Sequence, residues 1–369
     1  MKITAIRAYQ VDLPLIEGRY TWAGGKHFVE TFDSTVVEVL TDEGTAGYGE
    51  NTPLGSAYLP AFARGTRAGI EELAPYLIGE DPTAVGRINA IMDTVLNGHG
   101  YAKSAIDIAC WDLLGQATGK PICDLMGGRF GDGFALYRAI SLRDPDAMAG
   151  NVAAYRDEGY TKFQLKVGGE VRADIERIRA VRSILVDDEI LVADANTGWR
   201  IDDAARVVNA VQDVDVYIEQ PCKSYEHSLA IRRRTALPFI LDENIDSVAM
   251  LVRAHADGAM DAVNLKISKL GGLTKAGIAR DLCVSLGIPM NIEDTWGSDF
   301  VTAAIAHLSH STPAECRFAA TDFNAYVDVR TGTGLDDKVA GTARAPESPG
   351  LGITPDFDVL GSPVFEISA

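Results

Sequence analysis

Two lysines lie in apolar stretches of the sequence, where a positive charge would be buried and therefore suggests a chemical role. Lys166 lies in FQLKVGG (163–169) and Lys266 in AVNLKISK (262–269), and both stretches are typical of buried strands. Burying an unpaired ammonium is costly. Beside a metal ion and away from water, however, a lysine pKa falls and the neutral amine accepts a proton. We therefore predict that both lysines are bases, with ion pairing as the alternative for either one alone.

Three carboxylates follow apolar runs between these lysines. Asp194 lies in ILVADAN (190–196), Glu219 in VDVYIEQP (214–221) and Asp242 in PFILDE (238–243). Like charges this close raise one another's pKa values unless a cation holds them ionised. Three carboxylates suit an octahedral hard cation, so we predict Mg²⁺, with Mn²⁺ as a substitute. No His or Cys lies beside them, which argues against zinc. For any one acid alone, capping of the following helix is the alternative.

A metal between two bases suits removal of a proton from the carbon next to a carboxylate. The metal would stabilise the resulting enediolate, and a lysine on either face would remove or return the proton. Glu243 and Asn196 are expected to fix the metal ligands through hydrogen bonds.

Eight apolar runs, spaced roughly 25 residues apart, must position these residues. They are 134–141, 163–168, 190–196, 214–221, 238–243, 262–269, 288–294 and 317–322. The repeat predicts a closed (β/α)8 barrel whose C-terminal strand ends form the active-site face. Lys166 and Lys266 then lie on the second and sixth strands and face each other across the mouth. Period two places Gln164 beside Lys166, and Asn264 and Ser268 beside Lys266.

The regions around the barrel pattern differ from it. Residues 1 to about 50 alternate like antiparallel sheet, about 59–128 are helical, and the Gly- and Pro-rich end is expected to pack back on the first region. We predict a domain at 1–128, a barrel at 129–325 and a C-terminal segment at 326–369.

Composition narrows the function classes. The chain has 369 residues, is 47% hydrophobic and carries a formal net charge of −18, which suits a folded protein and argues against nucleic-acid partners. No apolar run reaches membrane-spanning length, and no secretory signal is visible. The five scattered cysteines lack CxxC spacing, so we expect reduced thiols and a cytoplasmic location.

Six motifs, in this order and spacing, resemble the mandelate racemase/muconate lactonizing enzyme family of the enolase superfamily, in its muconate lactonizing enzyme subgroup. They are FQLKVG, VADAN, YIEQP, LDE, VNLKISKLGG and IEDTWG. The resemblance covers essentially the whole chain and implies a modified (β/α)7β barrel with an N-terminal α+β capping domain completed by the C-terminal tail. It also implies Asp194, Glu219 and Asp242 as metal ligands, Lys166 and Lys266 as bases, a small carboxylate substrate and a homo-oligomer.

One position departs from the family pattern. The family commonly has Lys-x-Lys on the second strand, and here the first of these positions is Gln164. The change removes a like charge that would help to keep Lys166 neutral. It also adds a hydrogen-bonding amide near the expected substrate carboxylate.

Within the subgroup, QLK together with EDTWG is most similar to enzymes that act on hydroxyproline and its betaine. This implies that Asp294 holds a substrate ammonium and that Trp296 stacks on it through a cation–π contact. Glu293 is also expected to contact the substrate. Tyr58 and Trp22 are expected to complete an aromatic enclosure, with ordinary loop packing as the alternative.

Two reactions start from one enolate. If carbon 3 carries a hydroxyl, its loss makes the protein a cis-3-hydroxy-L-proline dehydratase, which the capping segment's resemblance favours. Without that leaving group, reprotonation at carbon 2 gives a 2-epimerase of hydroxyproline betaine or proline betaine, or another amino-acid racemase. The Gly-rich segment 17–28 is expected to act as a lid that excludes water.

Two further hypotheses come from other classes. A Schiff-base lysine, as in metal-free aldolases, is disfavoured by the three acids, since that chemistry does not need them. A non-enzymatic binding role does not explain why five charged side chains would all fall at strand ends.

Overall fold

The N-terminal region is an antiparallel sheet backed by helices, as its period-two pattern indicates. The structure, a computed structural model, describes residues 1–336 and 339–368. The strands of this region are β1 (Ile3–Pro14), β2 (Tyr20–Trp22), β3 (His27–Val29), β4 (Thr31–Thr41) and β5 (Ala46–Asn51). A 3-10 turn spans Ala23–Gly25, and the helices are α1 (Ala63–Leu77), α2 (Val85–Val95), α3 (Gly100–Thr118) and α4 (Ile122–Leu125). Strands β1, β4 and β5 pair in that order, and β2 and β3 form a separate hairpin.

Helix α3 lies directly on β5 because that strand carries two glycines. A Cβ atom at Gly49 would lie 2.1 Å from the Ala105 carbonyl oxygen, and one at Gly47 would lie 2.3 Å from that of Ala109. This close approach places α3 between the sheet and the barrel, and most of its residues are buried.

Each of the eight predicted apolar runs contains a strand of one parallel sheet. After the short β6 (Phe134–Ala135), these strands are β7 (Arg138–Ile140), β8 (Lys162–Lys166), β9 (Ile190–Asp194), β10 (Tyr217–Glu219), β11 (Phe239–Leu241), β12 (Ala262–Lys266), β13 (Met290–Glu293) and β14 (Arg317–Ala320). They pair in chain order, and a parallel bridge from Leu136 to Ala320 joins the first strand region to the last. The strands are apolar almost throughout because both faces of a parallel barrel are buried.

Helices cover the outside of this barrel. They are α5 (Pro145–Asp157), α6 (Val171–Ile184), α7 (Ile201–Ala210), α8 (Tyr225–Arg232), α9 (Val248–Ala256), α10 (Ile267–Leu270), α11 (Leu273–Leu286) and α12 (Asp299–His310), with a 3-10 turn at Ala314–Cys316. Strand β14 is followed by the 3-10 turn Phe323–Ala325. This is the expected (β/α)7β order. Strand β12 ends at Lys266 and α10 begins at Ile267, so the expectation that Ser268 lies on the strand face beside Lys266 was wrong.

The C-terminal segment returns to the N-terminal sheet. It contains β15 (Gly332–Thr333), β16 (Thr342–Ala343), β17 (Thr354–Pro355), α13 (Phe357–Leu360) and β18 (Phe365–Ser368). Strand β18 pairs antiparallel with β1, from Ala5 opposite Ser368 to Ala8 opposite Phe365. The N-terminal region together with β18 is called the cap below. The exact domain boundaries stay a prediction.

Two further observations bear on composition. The five cysteines are free and buried, as expected. Across 1–336 and 339–368, no helix is both long and apolar enough to cross a bilayer.

Candidate active site

Strand register brings the predicted residues to one end of the barrel. Lys166 is in register with Asp194, and Asp194 with Glu219. These three residues and Lys266 each end a strand, and Asp242 follows β11 directly. Because parallel strands present their C-terminal ends at one opening, all five side chains converge on the mouth of the barrel.

Asp194 is held by a lysine and by the backbone. Its Oδ2 lies 2.5 Å from Lys166 Nζ, and its Oδ1 accepts a 2.7 Å hydrogen bond from the Asn196 N–H. The Asn196 amide in turn donates to Glu243 Oε1 at 3.1 Å. Burial, followed by the charges of Asp242 and Asp194, raises the pKa of Glu243 to about 8. Asn196 therefore links two acids at the mouth.

Glu219 is held by neutral amides. Gln164 donates to its two carboxylate oxygens at 3.0 and 3.1 Å, and Asn264 donates to Oε1 at 2.8 Å. Burial and then the negative charge of Asp194 raise the pKa of Glu219 well above its usual value. The surroundings of this acid are thus short of positive charge.

Asp242 has two lysine partners, one of which the sequence did not reveal. Its Oδ2 lies 2.7 Å from Lys266 Nζ and accepts a 2.9 Å hydrogen bond from the Tyr58 hydroxyl. Its Oδ1 lies 3.0 Å from Lys269 Nζ. Burial disfavours the ionised acid, but the two lysines outweigh it and hold the pKa of Asp242 below its usual value. Strand periodicity missed Lys269 because this residue lies on helix α10. The signal available in the sequence was a further lysine within the apolar stretch ISKL.

In the chain alone, both predicted bases favour the ammonium form, and the lower pKa values expected beside a bound metal stay a prediction. Burial lowers the pKa of Lys166, but the Asp194 carboxylate more than reverses this. Burial of Lys266 is likewise outweighed by Asp242 and by Glu293, whose Oε1 lies 3.0 Å from the amine. Carboxylate oxygens this close favour the ammonium form more than burial disfavours it. In the chain alone, ion pairing therefore decides the protonation state.

A narrow cavity of about 20 Å³ lies between the lysines. Both amines line it, with Gln164 from the barrel and Tyr58 and Leu54 from the cap. Such a volume holds about one water molecule. Entry of a larger ligand therefore requires the covering segments to move.

The aromatic wall differs from the prediction in two respects. Tyr20, not Trp22, lines the cavity, and Trp22 packs behind it against Tyr20 and His27. Trp296 does line the cavity, but the rings of Phe32 and Phe323 stack on it with centroids at 4.4 and 5.0 Å. This packing does not favour a cation on its face. Within the part of the chain that the structure describes, the buried Nε1–H of Trp296 has no acceptor, so this N–H is the polar group that Trp296 can offer a ligand.

The two acids after β13 also line the cavity. Asp294 accepts hydrogen bonds from the backbone N–H groups of Ser268 at 3.0 Å and Thr295 at 2.7 Å, and burial raises its pKa to about 6. Its oxygens therefore already hold the start of α10. Glu293 accepts a hydrogen bond from the Tyr137 hydroxyl and pairs with Lys266. Binding of substrate by either acid stays a prediction.

The hairpin of β2 and β3 docks on the loops around the mouth. The Gly24 N–H donates to the Val167 carbonyl at 2.9 Å, and a Cβ at Gly24 would lie 2.2 Å from Gly169 Cα. Lys26 Nζ donates to the Gly198 carbonyl at 2.8 Å. This placement suits the predicted lid.

The three acids fit a hard divalent cation by their chemistry. Asp194, Glu219 and Asp242 are at most 1% exposed and offer only carboxylate oxygens. Among the residues that the structure describes, no three Asp, Glu, His or Cys side chains surround a common point as metal ligands. Lys166 pairs with one oxygen of Asp194, and Lys266 with one oxygen of Asp242. The donor set nevertheless suits a cation, since burial and the charge of Asp194 raise the pKa of Glu219 and an added positive charge would relieve both effects.

Family models match both parts of the chain. Residues 25–127 match the mandelate racemase/muconate lactonizing enzyme N-terminal domain, and residues 147–359 match the enolase C-terminal domain-like family. Cis-3-hydroxy-L-proline dehydratase from Roseibium aggregatum is 62% identical over 368 residues, covering 100% of both chains. N-succinyl-L-Arg/Lys racemase from Bacillus cereus is 31% identical, covering 98% of this chain and 97% of its own.

Solved structures agree with these matches. A mandelate racemase/muconate lactonizing enzyme from Roseovarius nubinhibens ISM is 42% identical, with a TM-score of 0.97 over 100% of this chain and 99% of its own. An enolase superfamily member from the same organism, complexed with magnesium, is 38% identical, with a TM-score of 0.94 over 100% of both chains. The chain therefore belongs to the mandelate racemase/muconate lactonizing enzyme family of the enolase superfamily.

Proposed function

We propose that the protein removes the proton next to the carboxylate of a small amino acid, and that it dehydrates cis-3-hydroxy-L-proline. The observation that carries this proposal is the position of Lys166 and Lys266 on strands β8 and β12, four apart in the sheet, on one cavity beside three buried acids. The 62% identity with the Roseibium dehydratase supports this substrate.

Asp194, Glu219 and Asp242 would hold Mg²⁺ in this proposal, and Mn²⁺ is expected to substitute. A bound divalent cation would stabilise the negative charge that develops on the substrate carboxylate and would lower the pKa values of the adjacent lysines. Gln164 and Asn264 keep the Glu219 oxygens oriented, and Lys269 does the same for Asp242.

The chain's own groups then move the proton. One lysine takes the proton from carbon 2, and the bond from carbon 3 to the hydroxyl breaks with its electron pair. The leaving hydroxide takes a proton from the ammonium of the other lysine and departs as water, and the enamine that remains rearranges to a cyclic imine. The cap excludes bulk water from this exchange because Tyr20 and Tyr58 close the cavity.

A second candidate reaction is 2-epimerisation of hydroxyproline betaine or proline betaine, or of another amino acid. The specific observation in its favour is that both lysines line the same cavity. One can remove the carbon 2 proton while the other returns one to the opposite face. The identity with a racemase of N-succinyl amino acids supports this chemistry.

Substrate contacts follow from the cavity wall. Trp296 Nε1 and the Tyr58 hydroxyl are expected to donate to substrate oxygens, and Asp294 or Glu293 to face its ammonium. Tyr20 takes the enclosing position first predicted for Trp22. A homo-oligomeric assembly stays a prediction.

The test is proton NMR in D₂O with Mg²⁺. Cis-3-hydroxy-L-proline, the 4-hydroxyprolines, proline and the betaines would each be offered to the protein. We expect conversion of the 3-hydroxy compound to the imine. Deuterium at carbon 2 of a betaine, with inversion, would instead support the epimerase.

Lysine variants separate the chemistry from substrate choice. We expect Lys166→Ala and Lys266→Ala each to abolish turnover, and one of them alone to abolish carbon 2 exchange. Turnover retained in both variants would contradict the proposed bases. A borohydride-stable adduct at either lysine would favour a Schiff base instead.

A further inference from the structure

Arg138, at the start of β7, is a buried cation that the proposed reaction does not use. It is 6% exposed, and its neighbour Ala139 lines the active-site cavity. Successive strand residues point to opposite faces, so the guanidinium lies behind the barrel wall. Its Nε and Nη1 atoms are buried and, among the described residues, donate to no acceptor. Across residues 1–336 and 339–368, no carboxylate oxygen lies within 4.0 Å of an Arg138 nitrogen.

Three tyrosine rings surround this guanidinium. Its Cζ lies 3.6 Å from the ring centroid of Tyr326, 4.8 Å from Tyr155 and 5.8 Å from Tyr160. The faces of the rings attract the cation but accept none of its N–H groups in the way an oxygen does. Buried donors without an acceptor are costly. The rings and the nearby charge of Asp322 together favour the buried cation, but they do not account for the two unused donors.

The tyrosine hydroxyls are already engaged elsewhere. The Tyr326 oxygen accepts a 2.8 Å hydrogen bond from the Ala139 N–H, and the Tyr155 hydroxyl donates to Glu17. Glu17 also accepts from Arg143 at 3.3 Å. The Arg138 Nε and Nη1 donors are thus available to a bound ligand.

A cavity of about 20 Å³ lies at this position, lined by Arg138, Tyr326, Tyr20 and the segment Leu15–Glu17. We propose that it binds one small monovalent anion, a halide or a carboxylate the size of formate. The volume admits a single ion or water molecule and no amino acid. Two guanidinium donors and one delocalised positive charge are the usual partners of such an anion.

The position of the cavity gives the anion a structural effect. Residues 15–17 lead directly into the β2–β3 hairpin, and Tyr20 lines both this cavity and the active site. A bound anion would join the approach to the hairpin to strand β7 and so stabilise the docked hairpin. This inference goes beyond the proposed reaction and does not depend on it.

Bromide tests the proposal because it scatters anomalously. Crystals of the wild-type protein grown in bromide should show one anomalous peak within hydrogen-bonding distance of the Arg138 guanidinium. In solution, replacing gluconate by bromide or formate at constant ionic strength should raise Tm saturably by about 2 °C. A Tm shift with bromide but not with formate would identify a halide site. A shift with each of the two anions would identify a general site for small anions. Hydrogen exchange in residues 15–29 should slow in parallel.

Two variants control for bulk salt effects. We expect Arg138→Met to lose the Tm shift and the change in exchange. Arg64→Met, which removes an exposed cation that does not line this cavity, should keep both. If Arg138→Met does not fold, Arg138→Lys serves in its place. We expect this variant to fold and to need an at least fivefold higher bromide concentration for half of the Tm shift. A water molecule without anomalous signal, or an equal shift in Arg138→Met, would overturn the proposal.

Discussion

At the scale of single residues, the mouth of the barrel balances three acids against three lysines unevenly. Asp194 and Asp242 each have a lysine within 2.7 Å, whereas Glu219 accepts hydrogen bonds from the amides of Gln164 and Asn264. A neutral amide orients a carboxylate without competing for its charge. The pKa of Glu219 is raised accordingly, by burial and by Asp194. The side chain of Gln164 thus prepares Glu219 for a cation.

Replacing Gln164 by Met tests this orientation. Gln164→Met removes two hydrogen bonds to Glu219 and leaves the one from Asn264. We expect Mg²⁺ affinity to fall about tenfold, because a ligand without its hydrogen-bonding support binds metal more weakly. Isothermal titration calorimetry measures the change, with exposed Gln212→Met as the control. Unchanged affinity in Gln164→Met would remove Gln164 from the metal site.

The sequence predicts residue types at the mouth better than their protonation and orientation. The spacing of the apolar runs was enough to place Lys166 and Lys266 at strand ends. It did not predict that Asp194 would approach Lys166 to 2.5 Å, a contact that raises the lysine pKa in the chain alone. Nor did it separate Tyr20 from Trp22, since both lie on one short strand and only loop docking decides which ring reaches the cavity.

At the scale of elements, the β2–β3 hairpin depends on a glycine contact with the barrel. Gly24 has a φ of 68°, and a Cβ there would lie 2.2 Å from Gly169 Cα. Gly25 has a φ of 85°, and its Cβ would meet nothing within 4 Å. Alanine at either position costs a similar amount in backbone strain. Only Gly24→Ala forces the hairpin away from the mouth.

These two variants therefore form a matched pair. We expect Gly24→Ala to raise KM about tenfold, which corresponds to a loss of about 1.4 kcal/mol in the free energy of closing the hairpin over the substrate. Hydrogen exchange in the hairpin should become faster. Gly25→Ala should leave KM within about twofold of wild type, since the contact is kept. Steady-state kinetics and exchange mass spectrometry give both readouts. Equal effects of the two variants would attribute the change to backbone strain alone.

Helix α12 carries a histidine whose hydrogen bonds require the neutral ring. His307 Nδ1 accepts from the Cys123 N–H at 3.2 Å, and Nε2 lies 3.0 Å from the Leu351 carbonyl, to which it donates. Burial lowers the pKa of His307 from 6.5 to about 4. The unfolded chain therefore binds the proton more readily than the folded one between these values. The contribution of His307 to stability is present above pH 6.5 and is lost as the pH falls towards 4.

This linkage predicts the pH dependence of unfolding. From pH 7 to pH 5, His307 should cost the wild type about 2 kcal/mol of unfolding free energy. Burial raises the pKa of Asp112 to about 6, and that acid gives the opposite slope. The readout is therefore the difference between wild type and His307→Gln in urea unfolding at each pH. Exposed His227→Gln should keep the wild-type slope, and a His307→Gln slope equal to wild type would contradict the prediction.

Elements were predictable where one pattern persists along the chain. The eight barrel strands follow apolar runs that burial on both faces imposes. The break at Ile267, where β12 gives way to α10, was not predictable, because ISKL continues the apolar pattern of the strand. Lys269 was missed for this reason.

At the scale of the whole molecule, Glu50 joins the cap to the barrel. It lies on β5, is fully buried, and its carboxylate accepts the Ser298 N–H at 3.0 Å and the Val301 N–H at 3.1 Å. These groups are at the N-terminus of α12, whose dipole favours a negative charge. Burial nevertheless raises the pKa of Glu50. Distant pairings of this kind, like that of β18 with β1, leave no local signal in the sequence.

The variant Glu50→Gln tests whether this contact also sets the position of the cap. An amide places N–H groups against backbone donors, so we expect the unfolding free energy to fall by about 2 kcal/mol. The loop after β5 carries Leu54 and Tyr58 into the cavity, so KM should rise while Mg²⁺ affinity stays unchanged. Denaturant unfolding, kinetics and calorimetry measure the three quantities, with exposed Glu72→Gln as the control. A displacement of the cap at this contact must also move Leu54 and Tyr58, which the cap contributes to the cavity. A loss of stability at constant KM would therefore show that Glu50 stabilises the fold without setting the position of the cap.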